Sequence, residues 1–314
     1  MEYASQYYTA IVLGAPFIIV PYTPMNLLRT EGFATASMIG PILGAVVNII
    51  LDPIFIFSFG MGATGAAVAT VIGNICTDIF FVWFLVSKSK KLSDSPVGLH
   101  VSLRELRQIL DIGIPASITN LMQSFGIALT NRFLLSYGNE NIAAMGIVMK
   151  INLIAALILI GFAFGVQPLI GYHYGANNKK RLKQILRFSY AFECGTAAVL
   201  MLVLSLAAPF LLRMFVSDPS ITAAGIPMLR AQQSGMIFVA IVLVTTCIFQ
   251  STGKAVGAFL LSVSRQGLVF ALVIAAASKL FGYTGILFSQ AVSDLITAVL
   301  AIVLFRISLY SELK

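Results

Sequence analysis

The stretch VNIILDPIFIF, residues 47–57, places one carboxylate and one amide inside an otherwise apolar run. Asp52 precedes Pro53 and follows Asn48 by four residues. Side chains four apart lie on the same face of a helix. A solvated loop or a kinked core helix would account for such a carboxylate, and the remainder of the chain decides between these and a buried polar site.

Composition excludes a soluble protein. Hydrophobic residues make up 59% of the 314 residues and charged residues 10%, whereas soluble domains carry about 25% charged residues. The chain is therefore predicted to be an all-α polytopic membrane protein. Its net charge of +8 suggests cytoplasmic loops facing anionic lipid headgroups, and no basic stripe with interleaved aromatics indicates nucleic acid. The three cysteines are far apart and the two histidines are isolated, so no metal centre is suggested.

Nine apolar runs are long enough to cross a bilayer, which takes about 20 residues. Short clusters of glycine and polar residues separate most of them, as expected of turns between antiparallel helices. The runs lie at roughly 4–28, 34–58, 62–87, 112–137, 142–171, 185–214, 222–251, 254–280 and 282–307.

The break at 88–111 is longer and basic, and its segment 102–110 has apolar residues at helical spacing, as in an amphipathic helix on a membrane surface. We therefore predict a partial amino-terminal lobe of three helices (1–87), a cytoplasmic connector (88–111) and a six-helix carboxyl-terminal lobe (112–314). Basic residues crowd 88–107 and 179–187, which predicts that both connections are cytoplasmic, with the amino terminus outside and the carboxyl terminus inside the cell membrane.

An internal repeat relates the two ends of the chain. Residues 29–34 resemble 250–255, and Gly62-Ala63-Thr64-Gly65 recurs as Gly282-Tyr283-Thr284-Gly285, at offsets of 221 and 220. The first three helices thus match the last three, while the middle three have no counterpart ahead of residue 1. If the fold has two similar halves of six helices, about three amino-terminal helices are missing from this sequence.

Several motifs together resemble the multidrug and toxic compound extrusion (MATE) transporters. They are Asn26-Leu-Leu-Arg29-Thr-Glu-Gly32, the stretch 48–57, Gly62-Ala-Thr-Gly65-Ala-Ala-Val-Ala-Thr70 and Gln167-Pro168-Leu-Ile-Gly171-Tyr-His-Tyr-Gly175-Ala. The resemblance covers essentially the whole chain. It implies two six-helix lobes and outward drug movement coupled to inward H⁺ or Na⁺, and it implies that this chain starts where the fourth helix begins.

A hairpin centred on Met61 would gather three oxygen-bearing side chains. Asp52 lies nine residues before Met61 and Thr70 nine after, so each is about 13 Å from that membrane face, near the midplane. A carboxylate there costs several kcal/mol unless it is neutralised, paired or wetted. Asp52 is therefore expected to bind H⁺ or Na⁺, with Asn48 and Thr70 as partners and with Pro53 permitting a bend. The resemblance also places these three residues on the family's amino-terminal-lobe cation site, which has a further essential Asp on a first helix that this sequence lacks.

Other intramembrane charges give weaker expectations. Arg265 and Asp294 are predicted to form an ion pair that is chiefly structural, and Lys150 to face a central cavity. Glu193 is predicted to lie near a helix end and is expected to reach the membrane surface. The resemblance further implies that the carboxyl-terminal ligands of the sodium-coupled branch are replaced here by Gln123 and Ile241.

These observations favour a secondary antiporter that exports organic cations or amphiphilic drugs in exchange for H⁺ or Na⁺. No G-x-x-x-x-G-K-[ST] motif indicates ATP use, and no pair of catalytic residues indicates an enzyme. A lipid-linked oligosaccharide flippase of the same superfamily and an inactive truncated fragment are the alternatives. The expected partners are a small amphiphilic molecule and the bilayer, and the expected state is a monomer without cofactors.

Overall fold

The computed structural model describes residues 2–88 and 102–310, and within these ranges it contains helices and no strand. Residues 89–101, most of the predicted connector, lie outside the described residues. The helices are α1 (Glu2–Ile19), α2 (Tyr22–Thr30), α3 (Ala34–Pro53), α4 (Gly62–Lys88), α5 (Leu103–Leu134), α6 (Asn139–Gly175), α7 (Lys179–Phe215), α8 (Pro219–Gln233), α9 (Met236–Ser251), α10 (Ala255–Val263) and α11 (Val269–Phe305). Shorter turns of π-helix follow α3, α10 and α11 (Ile54–Ser58, Ser264–Leu268 and Arg306–Tyr310), and a 3₁₀ turn, Leu135–Tyr137, follows α5.

The predicted all-α membrane architecture is confirmed. Six helical segments in the described ranges are long and apolar enough to cross a bilayer, and α8 with α9, bent by 46° at their junction, makes seven. The last segment, Val256–Leu309, has 54 residues, more than twice the length that one crossing needs. These segments do not include α5, and the predicted number of nine crossings is therefore approximate.

The last segment doubles back on itself at Gly282. Arg265 contacts Asp294 through an ion pair, and its carbonyl accepts a hydrogen bond from the Ser293 hydroxyl at 2.9 Å. A straight helix would separate residues 28 apart by about 42 Å. Gly282 has φ 57° and ψ −131°, a conformation open to glycine and strained for other residues. Two antiparallel arms therefore meet at the turn that the repeat predicted.

The chain divides into two compact units, 1–100 and 101–314. In the first, α3 and α4 form an antiparallel hairpin whose turn is made by Gly60 and Gly62, with φ of 63° and 54°. The two backbones nearly touch further down, because a Cβ added to Gly73 would lie 2.6 Å from the Gly44 carbonyl oxygen. Small residues at such a crossing let helices in a membrane approach closely, and this contact fixes the register of the hairpin.

The chain widens into a π-helical turn, Ile54–Ser58, directly after Pro53. Proline has no amide hydrogen and clashes with the preceding turn, so a regular α-helix is interrupted at this point. Wide turns of this kind are frequent at functional sites. Asp52 is thus the last polar residue before the irregular part of the hairpin.

The second unit begins with a well-capped helix. The Ser102 hydroxyl accepts a hydrogen bond from the Glu105 amide, and the Glu105 carboxylate accepts one from the Ser102 amide at 2.8 Å. These bonds to Ser102 lower the pKa of Glu105. From this cap α5 continues without a break to Leu134, so the amphipathic segment is the first part of the predicted fourth helix and not a separate element.

The core of the second unit lies among α6, α7, α8, α9 and α11, and the end of α5 contributes to it. Its largest cluster of fully buried apolar side chains includes Leu134, Met145, Leu212, Met228 and Phe270. The helix α7 starts at Lys179, six residues earlier than the predicted span, because the Asn178 side chain caps it by accepting from the Arg181 amide at 3.1 Å. Glu193 lies well inside α7 and its side chain is completely buried by packing, which corrects the expectation that it reaches the membrane surface.

Candidate cation site

Three polar side chains meet inside the α3–α4 hairpin. The Asn48 amide nitrogen donates to the Asp52 carboxylate at 3.3 Å and to the Thr70 hydroxyl at 3.4 Å. All three residues are half-buried. Asn48 and Asp52 are one helical turn apart on α3, and Thr70 comes from α4. The structure therefore brings together the side chains that the sequence places at a common depth.

Hydrogen bonds to the α4 backbone hold Thr70 in place. Its hydroxyl donates to the Ala66 carbonyl at 2.9 Å, so its lone pairs are free to accept from Asn48. The Asn74 side chain donates to the Thr70 carbonyl, also at 2.9 Å. Each donor is paired within its own helix or across the hairpin, and the Asp52 carboxylate is the charged member of the cluster.

A cavity of about 300 Å³ in the first unit opens beside this cluster. Its polar lining comes mainly from one face of α4, where Thr70, Asn74 and Thr77 recur every three or four residues. Sequence reasoning did not identify Asn74, Thr77 or Tyr22 as lining residues. The spacing of Thr70, Asn74 and Thr77 on an apolar helix was the available signal, because it marks a polar stripe on one side. The remaining lining residues are Ile18, Pro21, Tyr22, Met25, Pro41, Gly44, Ala45, Asn48 and Gly73.

The donor set fits one monovalent cation. Asp52 supplies a single negative charge, which one proton would neutralise. For Na⁺, Asp52 and Thr70 offer hard oxygen atoms, and water from the adjacent cavity would complete the coordination. Groups of three or more His, Cys, Asp or Glu side chains that could hold a metal ion are absent from the described ranges. A multivalent metal centre therefore has no support in this part of the chain.

The second unit carries a different polar cluster. The Arg265 Nε atom donates to an Asp294 carboxylate oxygen at 2.9 Å, and Gln290 donates to the same oxygen at 3.2 Å. The Asp294 side chain is 3% exposed and that of Arg265 27%. Arg265 and Asp294 thus form the ion pair predicted for them. Lys150 is exposed on α6.

A multi-pass helical bundle with a polar cluster inside an apolar hairpin is the architecture of a membrane transporter. A family model described as MatE matches residues 115–276. The chain belongs to the MATE family of transporters, as the sequence motifs suggest, and is therefore not an enzyme.

Relatives and solved structures agree with this assignment. The chain is 31% identical over 301 residues to the multidrug export protein MepA of Staphylococcus haemolyticus, covering 96% of this chain and 66% of that protein. It is 30% identical to MepA of Staphylococcus saprophyticus, covering 97% and 67%. A multidrug resistance MATE family transporter in an outward-facing conformation shares the fold, with TM-score 0.91, 23% identity and coverage of 98% and 69%. The chain spans about two thirds of the length of these curated relatives.

Proposed function

We propose that this chain serves in multidrug export as a secondary antiporter, moving organic cations or amphiphilic drugs outward in exchange for H⁺ or Na⁺. The cluster of Asp52, Asn48 and Thr70 is the observation that carries the proposal. The Staphylococcus relatives, whose names describe multidrug export proteins, support the direction and the class of cargo.

Coupling follows from the electrostatics of the cluster. With a bound cation, Asp52 is neutralised and the hairpin stays compact. Release leaves a charge in an apolar hairpin, which favours a wetter conformation. Because the ion and the drug each bind the two conformations differently, their occupancies are linked. The π-helical turn after Pro53 gives α3 a place to bend during this step.

The same proposal assigns the sides of the membrane. Five basic side chains at the start of α7 are exposed, as expected of a cytoplasmic helix end. They are Lys179, Lys180, Arg181, Lys183 and Arg187. A single cysteine introduced at Lys183 should stay unlabelled by an impermeant thiol reagent applied to intact cells and should react after permeabilisation. Labelling from outside would reverse the orientation.

Export from cells tests the function. Cells expressing the protein from its natural gene are loaded with a fluorescent organic cation, and its efflux is followed with wild type, Asp52→Asn and Asp218→Asn. Asp218 is an exposed helix cap, and Asn is an equivalent cap, so this variant controls for the chemical change alone. We expect Asp52→Asn to abolish ion-driven efflux and Asp218→Asn to leave it unchanged. Efflux at the wild-type rate by Asp52→Asn would reduce Asp52 to a helix-bend residue.

The coupling ion is identified in the same cells. Collapse of the pH gradient by a protonophore should stop efflux if H⁺ is the partner, while removal of external Na⁺ should stop it if Na⁺ is the partner. Efflux that survives both treatments together would overturn the antiport proposal.

A further inference from the structure

Besides Asp294, which is paired with Arg265, another carboxylic acid lies buried in the membrane-spanning part of the chain, in a different unit from Asp52. Glu193 is 14 residues from Lys179, the first residue of α7, and is therefore about 21 Å along that helix. Its exposed fraction is 0%. Neither carboxylate oxygen has a hydrogen-bond partner among the described residues.

The surroundings of Glu193 offer no compensating charge. The titratable groups that face it are the thiols of Cys194 on α7 and Cys247 on α9. Tyr190 lies one turn away, with its hydroxyl bonded to Thr245 of α9 at 2.8 Å. Within the described ranges, no Lys, Arg or His comes within ion-pairing distance of Glu193.

The helices around this part of α7 contribute apolar packing. Buried side chains of α6, α7 and α9 form an apolar cluster on the part of α7 that follows Glu193. In addition, Phe162 of α6 stacks on Phe192 of α7 with ring centroids 4.3 Å apart. The buried members of the cluster are Ala155, Leu159, Ala197, Met236 and Ala240. An ionised carboxylate without a partner is strongly disfavoured in such a place, whereas a protonated one loses little.

We propose that Glu193 is a second proton-binding site, protonated while α7 packs against α9 and deprotonated when these helices separate enough to admit water. Release breaks the carboxyl O–H bond, passes the proton to water and leaves a carboxylate that prevents α7 and α9 from closing again. This inference rests on the proposed antiport function, because it assigns H⁺ as the coupling ion of the second unit. It is independent of the Asp52 cluster in the other unit.

Infrared titration of the purified full-length protein in lipid tests protonation directly. The carbonyl stretch of a protonated carboxyl group should be present at neutral pH in wild type, lost in Glu193→Gln and retained in Asp52→Asn. An unchanged band in Glu193→Gln would show that Glu193 is ionised in this environment and would overturn the proposal.

Transport in proteoliposomes tests coupling. An imposed pH gradient should accelerate drug export, and Glu193→Gln should reduce that acceleration at least about fivefold, the lower end of coupling between linked sites. Glu140→Gln makes the same chemical change at an exposed residue and should behave as wild type. Full acceleration in Glu193→Gln, or none in wild type, would overturn the coupling role.

Two comparisons distinguish a proton-binding Glu193 from a carboxyl group that only fills space. If Glu193 only fills space, the equally long Gln should replace it better than Asp does. If Glu193 binds a proton, Glu193→Asp should respond to the pH gradient more strongly than Glu193→Gln. The opposite order would overturn the proposal. If Asp52→Asn keeps the response and Glu193→Gln loses it, the role proposed for Asp52 fails and that of Glu193 stands. The reverse result overturns Glu193 alone.

Discussion

The α3–α4 hairpin of the first unit and the two arms that meet at Gly282 in the second unit have glycines with positive φ at equivalent positions. We call these positions the joints of each hairpin. Gly32 and Gly253 precede the two hairpins with φ of 92° and 73°, and the turns contain Gly62 and Gly282 with φ of 54° and 57°. The offsets are 221 and 220, those of the sequence repeat. The amides of Phe33 and Lys254 even donate to carbonyls five residues back, at 2.9 and 2.8 Å.

The two hairpins also have a close contact at equivalent positions. Gly44 meets Gly73 in the first unit, and Arg265 meets Ser293, at the same offsets, in the second. In the first unit the crossing is backbone against backbone. In the second, a serine hydroxyl fills the gap by donating to the Arg265 carbonyl. The scaffold is repeated, while the chemistry at the crossing is not.

The two hairpins differ most in how their carboxylates are balanced. Asp52 has neutral partners and is half-buried, whereas Asp294 is buried against a guanidinium. The residues equivalent to Asn48 and Asp52 are Val269 and Val273. Among the described residues, the carboxylate of Asp52 has no cationic partner beside it, while that of Asp294 has the Arg265 guanidinium. The same framework thus holds a carboxylate with neutral partners in one unit and an ion pair in the other.

The largest expected difference in stability is between neutralising Asp294 and neutralising Asp52. Asp294→Asn strips the Arg265 guanidinium of its charged partner, which should lower stability by about 3 kcal/mol, near the lower end for buried pairs because Arg265 is partly exposed. Asp52→Asn should leave stability within about 0.5 kcal/mol, as at sites without a charged partner. The loss of monodisperse protein on heating in detergent, followed by size-exclusion chromatography, measures both.

A double variant checks the cause. Arg265→Met combined with Asp294→Leu should recover most of the stability that Asp294→Asn loses, because no unpaired charge remains. Equal losses for Asp52→Asn and Asp294→Asn would erase the distinction between the two hairpins.

A smaller effect is expected at the crossings. Gly73→Ala would push a methyl group against the Gly44 carbonyl, and such overpacking costs about 2 kcal/mol. Ser293→Ala removes only one hydrogen bond, worth about 1 kcal/mol. The same thermal assay compares them, and a Ser293→Ala variant less stable than Gly73→Ala would contradict the close packing described for α3 and α4.

The smallest effect tests the shared joints. Gly32→Ala and Gly253→Ala each force a side chain into a left-handed conformation, at a cost of about 1 kcal/mol. Because a Cβ would meet no neighbour within 4 Å at either residue, the two losses in thermal stability should be nearly equal. A difference of more than about twofold would show that the joints are not equivalent.

The turns and the polar hairpin could be predicted because they depend on local rules. Met61 and Gly282 sit between apolar runs of bilayer length, and glycine is the residue that accepts a positive φ. The depth of Asp52 and Thr70 then follows from the rise of a helix, since both lie equally far from Met61. The ion pair of Arg265 and Asp294 could be predicted in the same way, because the turn at Gly282 brings the two arms side by side.

Features that depend on capping and on tertiary packing escaped prediction. The burial of Glu193 depends on which face of α7 packs against its neighbouring helices, and hydropathy does not specify that face. The lining role of Asn74 depends on which face of α4 turns toward the cavity. The wide turn after Pro53 was anticipated only as a bend, because a proline announces an interruption without specifying its geometry.

The backbone contact between Gly44 and Gly73 has a mechanical consequence. A hairpin clamped at this point is stiff along its stem, since close-packed backbones slide only by breaking contact. The hairpin should therefore bend at the π-helical turn Ile54–Ser58, which lies between the Gly44–Gly73 contact and the tip. Asp52 lies between the closely packed part of the hairpin and this turn. A change of charge at Asp52 would therefore displace the tip of the hairpin and leave the part of α3 and α4 around Gly44 and Gly73 in place.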